Sequence, residues 1–339
     1  MSEWMGFVLI VLGGAMQGTY YLGLKYVEPW KWENIWSVYA VFSLLLLPVA
    51  LAAATVPSLR QVFTQSPSAA LWGVFLYGIG WGIGSTLSGL GVARLGLAMG
   101  VAILLGVTAA IGSFVPLIVK TPGLVLQPKG MMIIVSVVTL LVGVLLIAVA
   151  GKKREVSQGG AVKAVIPGSF ATGLVICVLS GIFSSMLNLA FAFSKPVADA
   201  AVGAGASPSA ALNAVWMIAL GGGFLANAVY TSYLMTRNKT WKNFALPQTG
   251  VFWLIGLVMG ALWYFGVVLY GRGAASMGEI GSVIGWPVFL AAMIVFSSIW
   301  GFATGEWKGS SPQAKRFMAS GFVALMLACA LLGVANRMP

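Results

Sequence analysis

Long apolar runs separated by short polar segments occupy almost the whole chain. Ten of these runs approach the about 20 residues that an α-helix needs to cross the hydrocarbon core of a bilayer. The pattern therefore predicts an all-α polytopic membrane protein with ten transmembrane helices. The predicted spans lie near residues 4–24, 35–55, 69–92, 95–119, 131–150, 170–193, 210–236, 250–271, 280–304 and 317–336.

One polar segment interrupts this pattern near the middle. Residues 151–163, GKKREVSQGGAVK, are basic and contain glycine, and five predicted spans lie on each side of them. We therefore divide the chain into an N-terminal five-helix repeat (1–151), a basic cytoplasmic linker (152–164) and a C-terminal five-helix repeat (165–339).

The two halves share a glycine-rich sequence. Residues 77–96, YGIGWGIGSTLSGLGVARLG, align without a gap with residues 259–278, and Trp81 then lies opposite Trp263. The glycines that coincide with glycines of the second half are Gly78, Gly84, Gly89, Gly91 and Gly96. Many of the glycines also have i, i+4 spacing, which lets another helix approach closely where lipid supplies little drive for association.

A weaker match sets the first helices of the two halves over each other. It places Gln17 opposite Ser184 and Tyr21 opposite Asn188. Because each half has five spans, the second half must enter the membrane from the other side. The pattern predicts two inverted five-helix repeats, the plan of many secondary transporters, with a substrate site near the midplane.

Composition and charge support a membrane protein. Apolar residues make up 60% of the chain and charged residues 8%, whereas soluble domains carry about 25% charged residues. The net charge of +12 lies in short clusters between spans, which indicates membrane topology and not nucleic-acid binding. Of the 19 lysines and arginines, 6 fall on the side of the N-terminus and 13 on the other side. The richer side is predicted to be cytoplasmic, with both termini periplasmic.

The chain lacks the residues that several kinds of catalytic or cofactor site require. The chain has no histidine, and Cys177 and Cys329 both lie inside apolar runs. The phosphate-binding pattern G-x-x-x-x-G-K-[ST] is absent, and GIGWGIG does not have the G-x-G-x-x-G spacing of a dinucleotide loop. We therefore predict no enzyme, no metal and no cofactor. The first apolar run has no basic segment before it and is predicted to be a retained helix.

Polar and aromatic side chains within the spans are the candidates for binding. Such groups cost free energy in hydrocarbon unless they are partnered, so they face the protein interior. Aromatic faces with amides and hydroxyls suit a polyhydroxylated ligand. Hydrogen bonds between helices are the alternative role, and Trp30, Trp32 and Trp241 near helix ends are predicted interfacial anchors. The predicted substrate-binding residues are Gln17, Tyr21, Trp81, Ser85, Asn188, Asn213, Trp263, Tyr264 and Trp286.

Coupling to an ion gradient requires an ionisable group, and the chain has seven carboxylates. Glu279 and Glu33 begin apolar spans and are the predicted proton-coupling residues, with Glu279 ranked first. A carboxyl that moves between water and a closed cavity can take up a proton on one side and release it on the other. Stabilisation of a helix N-terminus by a negative charge is the alternative role for both.

Several blocks along the chain resemble the L-rhamnose/proton symporter family of the drug/metabolite transporter superfamily. They are KYVEPWKWENIWSV (25–38), GWGIGSTLSGLGVARLGLAMG (80–100), SGIFSSMLNLAFAFSKP (180–196), LWYFGVVLYG (262–271) and GEW (305–307). Enteric members of that family carry an acidic residue between tyrosines before the ninth-helix tryptophan, whereas GSVIGW here has Ser282 instead.

The resemblance implies a bacterial inner-membrane importer that moves a 6-deoxy sugar, first of all L-rhamnose, together with a proton. Its partners would then be the sugar, the proton and the lipid bilayer, without nucleic acid. An importer of a different sugar and an exporter of metabolites or drugs on the same scaffold remain alternatives. A receptor or assembly protein is disfavoured because no sizeable soluble domain is predicted.

Overall fold

The structure is a computed structural model that describes residues 3–95, 97–159, 169–247 and 249–338. Within these residues the chain is helical and forms no β-strand. Among the described residues, ten helices are long and apolar enough to cross a membrane, which confirms the predicted number. Helices 1 to 10 are, in order, Trp4–Tyr26, Trp32–Thr55, Ser68–Val92, Met99–Lys120, Pro128–Ser157, Phe170–Gly203, Pro208–Arg237, Gly250–Ala275, Gly278–Ala303 and Pro312–Arg337.

Some of these helices are irregular. Helix 2 contains a π-helical stretch, Val41–Leu46, between two α-helical segments. Helix 6 consists of Ser169–Ala192 and a short second segment, Lys195–Gly203. The first residues of the predicted linker continue helix 5 as far as Ser157. Residues 160–164 of that linker lie outside the described residues, as do residues 165–168 of the C-terminal repeat.

Local sequence signals fix where several helices begin. Ser207 and Ser311 are N-caps whose hydroxyl oxygens accept hydrogen bonds from the backbone N–H groups of Ala210 and Ala314. A proline follows each cap directly, and its fixed φ suits the first helical turn. Helices 7 and 10 therefore start abruptly after short turns.

Ten successive crossings define two faces. We call the face at which helix 1 begins and helix 10 ends the terminal face, and the opposite face the basic face, because most lysines and arginines lie there. Odd-numbered helices run from the terminal face to the basic face, and even-numbered helices run back.

The helix packing of the two halves corresponds. Adding five to the number of each helix from 1 to 5, and subtracting five from each from 6 to 10, converts one set of packing pairs into the other. Helix 3 packs on helices 6 and 7, and helix 8 packs on helices 1 and 2. Helix 4 packs on helices 5 and 6, and helix 9 packs on helices 10 and 1. Helices 5 and 10 pack on each other. The division into two five-helix repeats stays a prediction, and the packing partners correspond between the two halves.

Glycines at the closest helix crossings follow the same correspondence. A Cβ atom on Gly84 would lie 2.6 Å from the backbone nitrogen of Ser184, and one on Gly266 would lie 3.2 Å from Cγ of Gln17. These are the residues that the two sequence matches set opposite each other. Further corresponding contacts join Gly91 to Cys177 and Gly273 to Ile10, and Gly181 to Val107 and Gly14 to Ala292.

Candidate substrate-binding site

A cavity of about 800 Å³ lies between helices 1, 2, 3, 4, 6, 7, 8 and 9. Small-molecule sites typically measure about 300–1,000 Å³. The residues that line it come from the middle of these helices and from the halves nearer the basic face. At the rim Tyr21 and Trp32 are 48% and 39% exposed, whereas Trp263 and Trp286 at the inner end are buried. The cavity therefore opens toward the basic face.

Six of the nine predicted substrate-binding residues line this single cavity. Their roles as substrate contacts remain predictions, but the structure brings them together from four helices. They are Gln17, Tyr21, Trp81, Ser85, Trp263 and Trp286.

The two tryptophans of the glycine-rich repeat touch at the inner end of the cavity. The ring centroids of Trp81 and Trp263 are 5.0 Å apart with the planes tilted by 33°. Nε2 of Gln17 donates a hydrogen bond of 2.9 Å to the backbone oxygen of Trp263. Oε1 of Gln17 accepts no hydrogen bond from the described residues, which leaves it available to a ligand hydroxyl.

A row of aromatic rings forms the wall from the rim inward. Trp32 stacks on Trp36 at 4.9 Å, and Trp36 contacts Tyr39 at 4.8 Å. Trp32 is therefore part of the cavity wall, and its role as an interfacial anchor stays a prediction. Trp30 is not an anchor, because it is 3% exposed and its Nε1 donates to the backbone oxygen of Asn243.

The polar groups on the wall are neutral. Among the described residues that line the cavity, none is charged, and the hydroxyl groups belong to serine, threonine and tyrosine. Aromatic faces can cover the C–H patches of a ligand while hydroxyls and an amide bind its polar groups. The serine and threonine residues on the wall are Ser85, Thr86, Ser88, Thr108, Ser184 and Ser297.

Three predicted binding residues lie outside this wall. Tyr264 is fully buried behind it, because successive helical residues point about 100° apart and its neighbour Trp263 takes the cavity-facing position. Asn213 lies near the terminal face, where its Nδ2 donates 2.9 Å to Oγ1 of Thr55. In this conformation both residues join or fill the space between helices.

Asn188, the third of these residues, joins four helices below the cavity. Its Nδ2 donates to the backbone oxygens of Gly112 at 2.7 Å and Ser282 at 3.0 Å, and its Oδ1 accepts from the hydroxyl of Tyr270. The side chain is fully buried. Asn188 thus closes the terminal-face half of the protein by holding helices 4, 6, 8 and 9 together.

The two predicted coupling carboxylates have opposite environments. Glu279 is exposed in a short turn at the terminal face, away from the cavity. Glu33 is 5% exposed beside Trp32, and its Oε1 accepts hydrogen bonds from Asn238 at 3.0 Å and Thr240 at 2.9 Å. No lysine or arginine of the described residues forms an ion pair with Glu33.

Glu306 forms the ion pairs at the basic face. It binds Lys25 at 2.5 Å and Arg154 at 3.1 Å, and so ties the end of helix 1 to helix 5. The hydrogen bond from Lys25, together with the charges of Lys25 and Arg154, holds the pKa of the Glu306 carboxyl below its usual range. Glu306 is therefore ionised at neutral pH, and Glu33 is the buried carboxylate without such a partner.

Asn227 is a residue near the site that the sequence did not single out. It is 1% exposed on helix 7. Its Oδ1 accepts from Nε1 of Trp36 at 2.9 Å and from Oγ of Ser85 at 3.4 Å, while its Nδ2 donates to the backbone oxygen of Gly223. Asn227 therefore positions wall residues from helices 2 and 3. The signal available in the sequence was an amide inside an apolar span, which Asn227 shares with Asn213 on the same helix.

Comparison with known proteins identifies the family. Residues 2–337 match the family described as L-rhamnose-proton symport protein (RhaT). The chain is 28% identical over 337 residues to the L-rhamnose-proton symporter of Klebsiella pneumoniae subsp. pneumoniae, and 29% identical over 337 residues to that of Cronobacter sakazakii, with 97% of both chains covered each time. Against the L-rhamnose-proton symporter of Yersinia pestis it is 28% identical over 340 residues, again with 97% of each covered. Because the match extends over nearly its whole length, the chain belongs to the L-rhamnose-proton symport protein family.

Proposed function

We propose that this protein imports a sugar, first of all L-rhamnose, together with a proton. The observation that carries the proposal is the uncharged cavity lined by tryptophan, tyrosine, hydroxyl and amide groups. A neutral pyranose offers C–H faces to the rings and hydroxyls to Gln17 and the serines. Relatives that match along the whole chain are named L-rhamnose-proton symporters, which supports the same substrate and ion.

The transport cycle follows from the repeated architecture. We propose that the halves are inverted repeats, as in the drug/metabolite transporter superfamily, and that they rock about the Trp81–Trp263 contact. The basic face is assigned to the cytoplasm of a bacterial cell and both termini to the periplasm, from the distribution of lysine and arginine. The cavity is then open to the cytoplasm.

Coupling is assigned to Glu33 ahead of Glu279. Glu33 is buried beside the cavity wall, held by the neutral donors Asn238 and Thr240. Movement of helix 2 would change its access to water, which a proton-carrying carboxyl requires. Glu279 lies exposed at the opposite face, where the rocking of the halves changes its surroundings less.

The substrate assignment is tested by competition in proteoliposomes. Uptake of labelled L-rhamnose under an inward proton gradient is measured against an excess of unlabelled L-rhamnose, L-fucose, D-ribose and a lipophilic cation. We expect L-rhamnose to compete best and the cation not to compete. Inhibition by the cation without inhibition by any sugar would instead support an exporter of drugs.

Replacing Trp81 by leucine is expected to weaken L-rhamnose binding about tenfold. The change removes an aromatic face from the inner end of the cavity, and such a contact contributes about 1–1.5 kcal/mol. Binding is measured by tryptophan fluorescence or calorimetry on the purified protein. Trp72→Leu is the matched control, because Trp72 lies on the same helix and is 62% exposed outside the cavity. Equal L-rhamnose affinity in Trp81→Leu and Trp72→Leu would show that Trp81 does not contact the sugar.

Replacing Asn227 by alanine is expected to weaken L-rhamnose binding about fivefold to tenfold. Nε1 of Trp36 then loses its acceptor, and an unsatisfied buried donor costs about 1–3 kcal/mol, part of which appears as lost affinity. The control is Thr231→Val, one turn away, whose hydroxyl bonds only to carbonyls of its own helix. A merely structural role predicts reduced protein stability at unchanged affinity, so both thermal unfolding and binding are measured.

A further inference from the structure

Among the described residues, the half of the protein nearer the terminal face contains buried polar atoms without hydrogen-bond partners. These atoms include Nε1 of Trp216, Oγ of Ser282 and Oγ of Ser113. Leaving such groups unpaired costs free energy in a permanently dry interior. They are accounted for if this half opens to water in another conformation, as the basic-face half does here.

Residues at corresponding positions in the two halves make different contacts. An offset of 180 relates helix 2 to helix 7, since Gly78 packs on the carbonyl of Ala219 and Gly260 on that of Tyr39. With the offset of 182 between helices 3 and 8, Trp36 corresponds to Trp216 and Gly89 to Gly271.

In the closed half the tryptophan lies against the glycine. A Cβ atom on Gly271 would lie 2.8 Å from Nε1 of Trp216, and Trp216 is 1% exposed and stacked on Phe191 at 5.8 Å. Since no side chain larger than hydrogen fits there, the Trp216–Gly271 contact seals helices 7 and 8 at the terminal face.

In the open half the corresponding residues, Trp36 and Gly89, are not in contact. Gly89 lines the cavity, and a Cβ atom on it would meet nothing within 4 Å. Trp36 also lines the cavity, but its Nε1 is held by Oδ1 of Asn227 at 2.9 Å. The space beside Gly89 is thus empty, and Trp36 stays on the opposite wall of the cavity.

We infer that Trp36 closes the cavity by leaving Asn227 and packing against Gly89, while Trp216 leaves Gly271 and opens the terminal-face half. The inference rests on the proposed transport function and goes beyond it by naming the two contacts that exchange. Opening the terminal-face half would give water or the sugar access to the unpaired groups of Trp216 and Ser282. The hydrogen bond from Nε1 of Trp36 to Oδ1 of Asn227 holds Trp36 in the present conformation.

The inference is tested with Gly89→Leu, which the present conformation accommodates without a clash. We expect L-rhamnose uptake reduced at least tenfold, because the leucine occupies the place of Trp36 in the closed state. Gly73→Leu is the matched control, since Gly73 lies on the same helix and also has no neighbour within 4 Å. Uptake near the wild-type rate would overturn the inference.

A second readout is independent of which sugar is carried. In a chain with Cys177→Ala and Cys329→Ala, a Ser282→Cys reporter is labelled from the terminal face with a membrane-impermeant maleimide. Adding Gly89→Leu should slow labelling at least tenfold, because the cavity can no longer close and the other half cannot open. Unchanged labelling overturns the inference, whereas slowed labelling in a protein that carries no L-rhamnose would overturn only the proposed substrate.

Discussion

Replacing Asn188 by leucine is expected to shift the protein toward the conformation in which the terminal-face half is open. The amide makes three hydrogen bonds, to Gly112, Ser282 and Tyr270, and all of them cross between helices. At about 1 kcal/mol each they contribute about 3 kcal/mol to the closed half, which corresponds to an about 100-fold change in population. Uptake of L-rhamnose should fall at least tenfold, because a symporter must populate both states in turn.

The shift is measured through the Ser282→Cys reporter in the cysteine-free background. Labelling from the terminal face should become at least tenfold faster in Asn188→Leu. Asn213→Leu is the matched control: it removes a buried asparagine from the same half that makes one hydrogen bond, to Thr55. If Asn188→Leu and Asn213→Leu label at the same rate, Asn188 does not hold the terminal-face half closed.

Replacing Glu33 by glutamine is expected to abolish proton-driven accumulation of L-rhamnose while sugar exchange continues. Glutamine has nearly the same shape and keeps an oxygen that can accept the hydrogen bond from Thr240. The loop between helices 7 and 8, which contains Thr240, therefore stays bonded to helix 2. It cannot bind and release a proton. The variant should therefore equilibrate labelled sugar across the membrane without concentrating it.

Two matched variants decide between the carboxylates. Glu28→Gln removes an exposed carboxylate near the same face and should leave accumulation unchanged. Glu279→Gln tests the carboxylate at the terminal face in the same assay. Accumulation that persists in Glu33→Gln and disappears in Glu279→Gln would contradict the assignment of coupling to Glu33.

The number and approximate positions of the helices were predictable, because the length of an apolar run directly reports its capacity to cross a bilayer. The continuation of helix 5 to Ser157 was not predicted. Its last residues, KKREVS, carry charges that do not suit a membrane interior, yet lysine, arginine and glutamate favour helix formation outside it. Hydropathy marks the membrane boundary, whereas a helix can extend beyond that boundary.

The candidate site was predictable only in part. Gln17, Trp81, Ser85, Trp263 and other lining residues were found because polar and aromatic groups inside spans face the interior. Asn188 and Asn213 satisfy the same rule but lie in the closed half, and the sequence does not distinguish which half is open. The place of Trp32 at the cavity rim was not predicted, because a tryptophan at a helix end fits an interfacial anchor and a cavity rim equally well.

The central claim, that this chain couples L-rhamnose uptake to protons, is tested most directly by accumulation in proteoliposomes under an imposed proton-motive force. One proton moving through 100 mV supplies about 2.3 kcal/mol, enough for about 50-fold accumulation. We predict that internal L-rhamnose rises transiently above the external concentration and returns to equality when a protonophore is added. Uptake that never exceeds equality, or that is unaffected by the protonophore, would contradict the account.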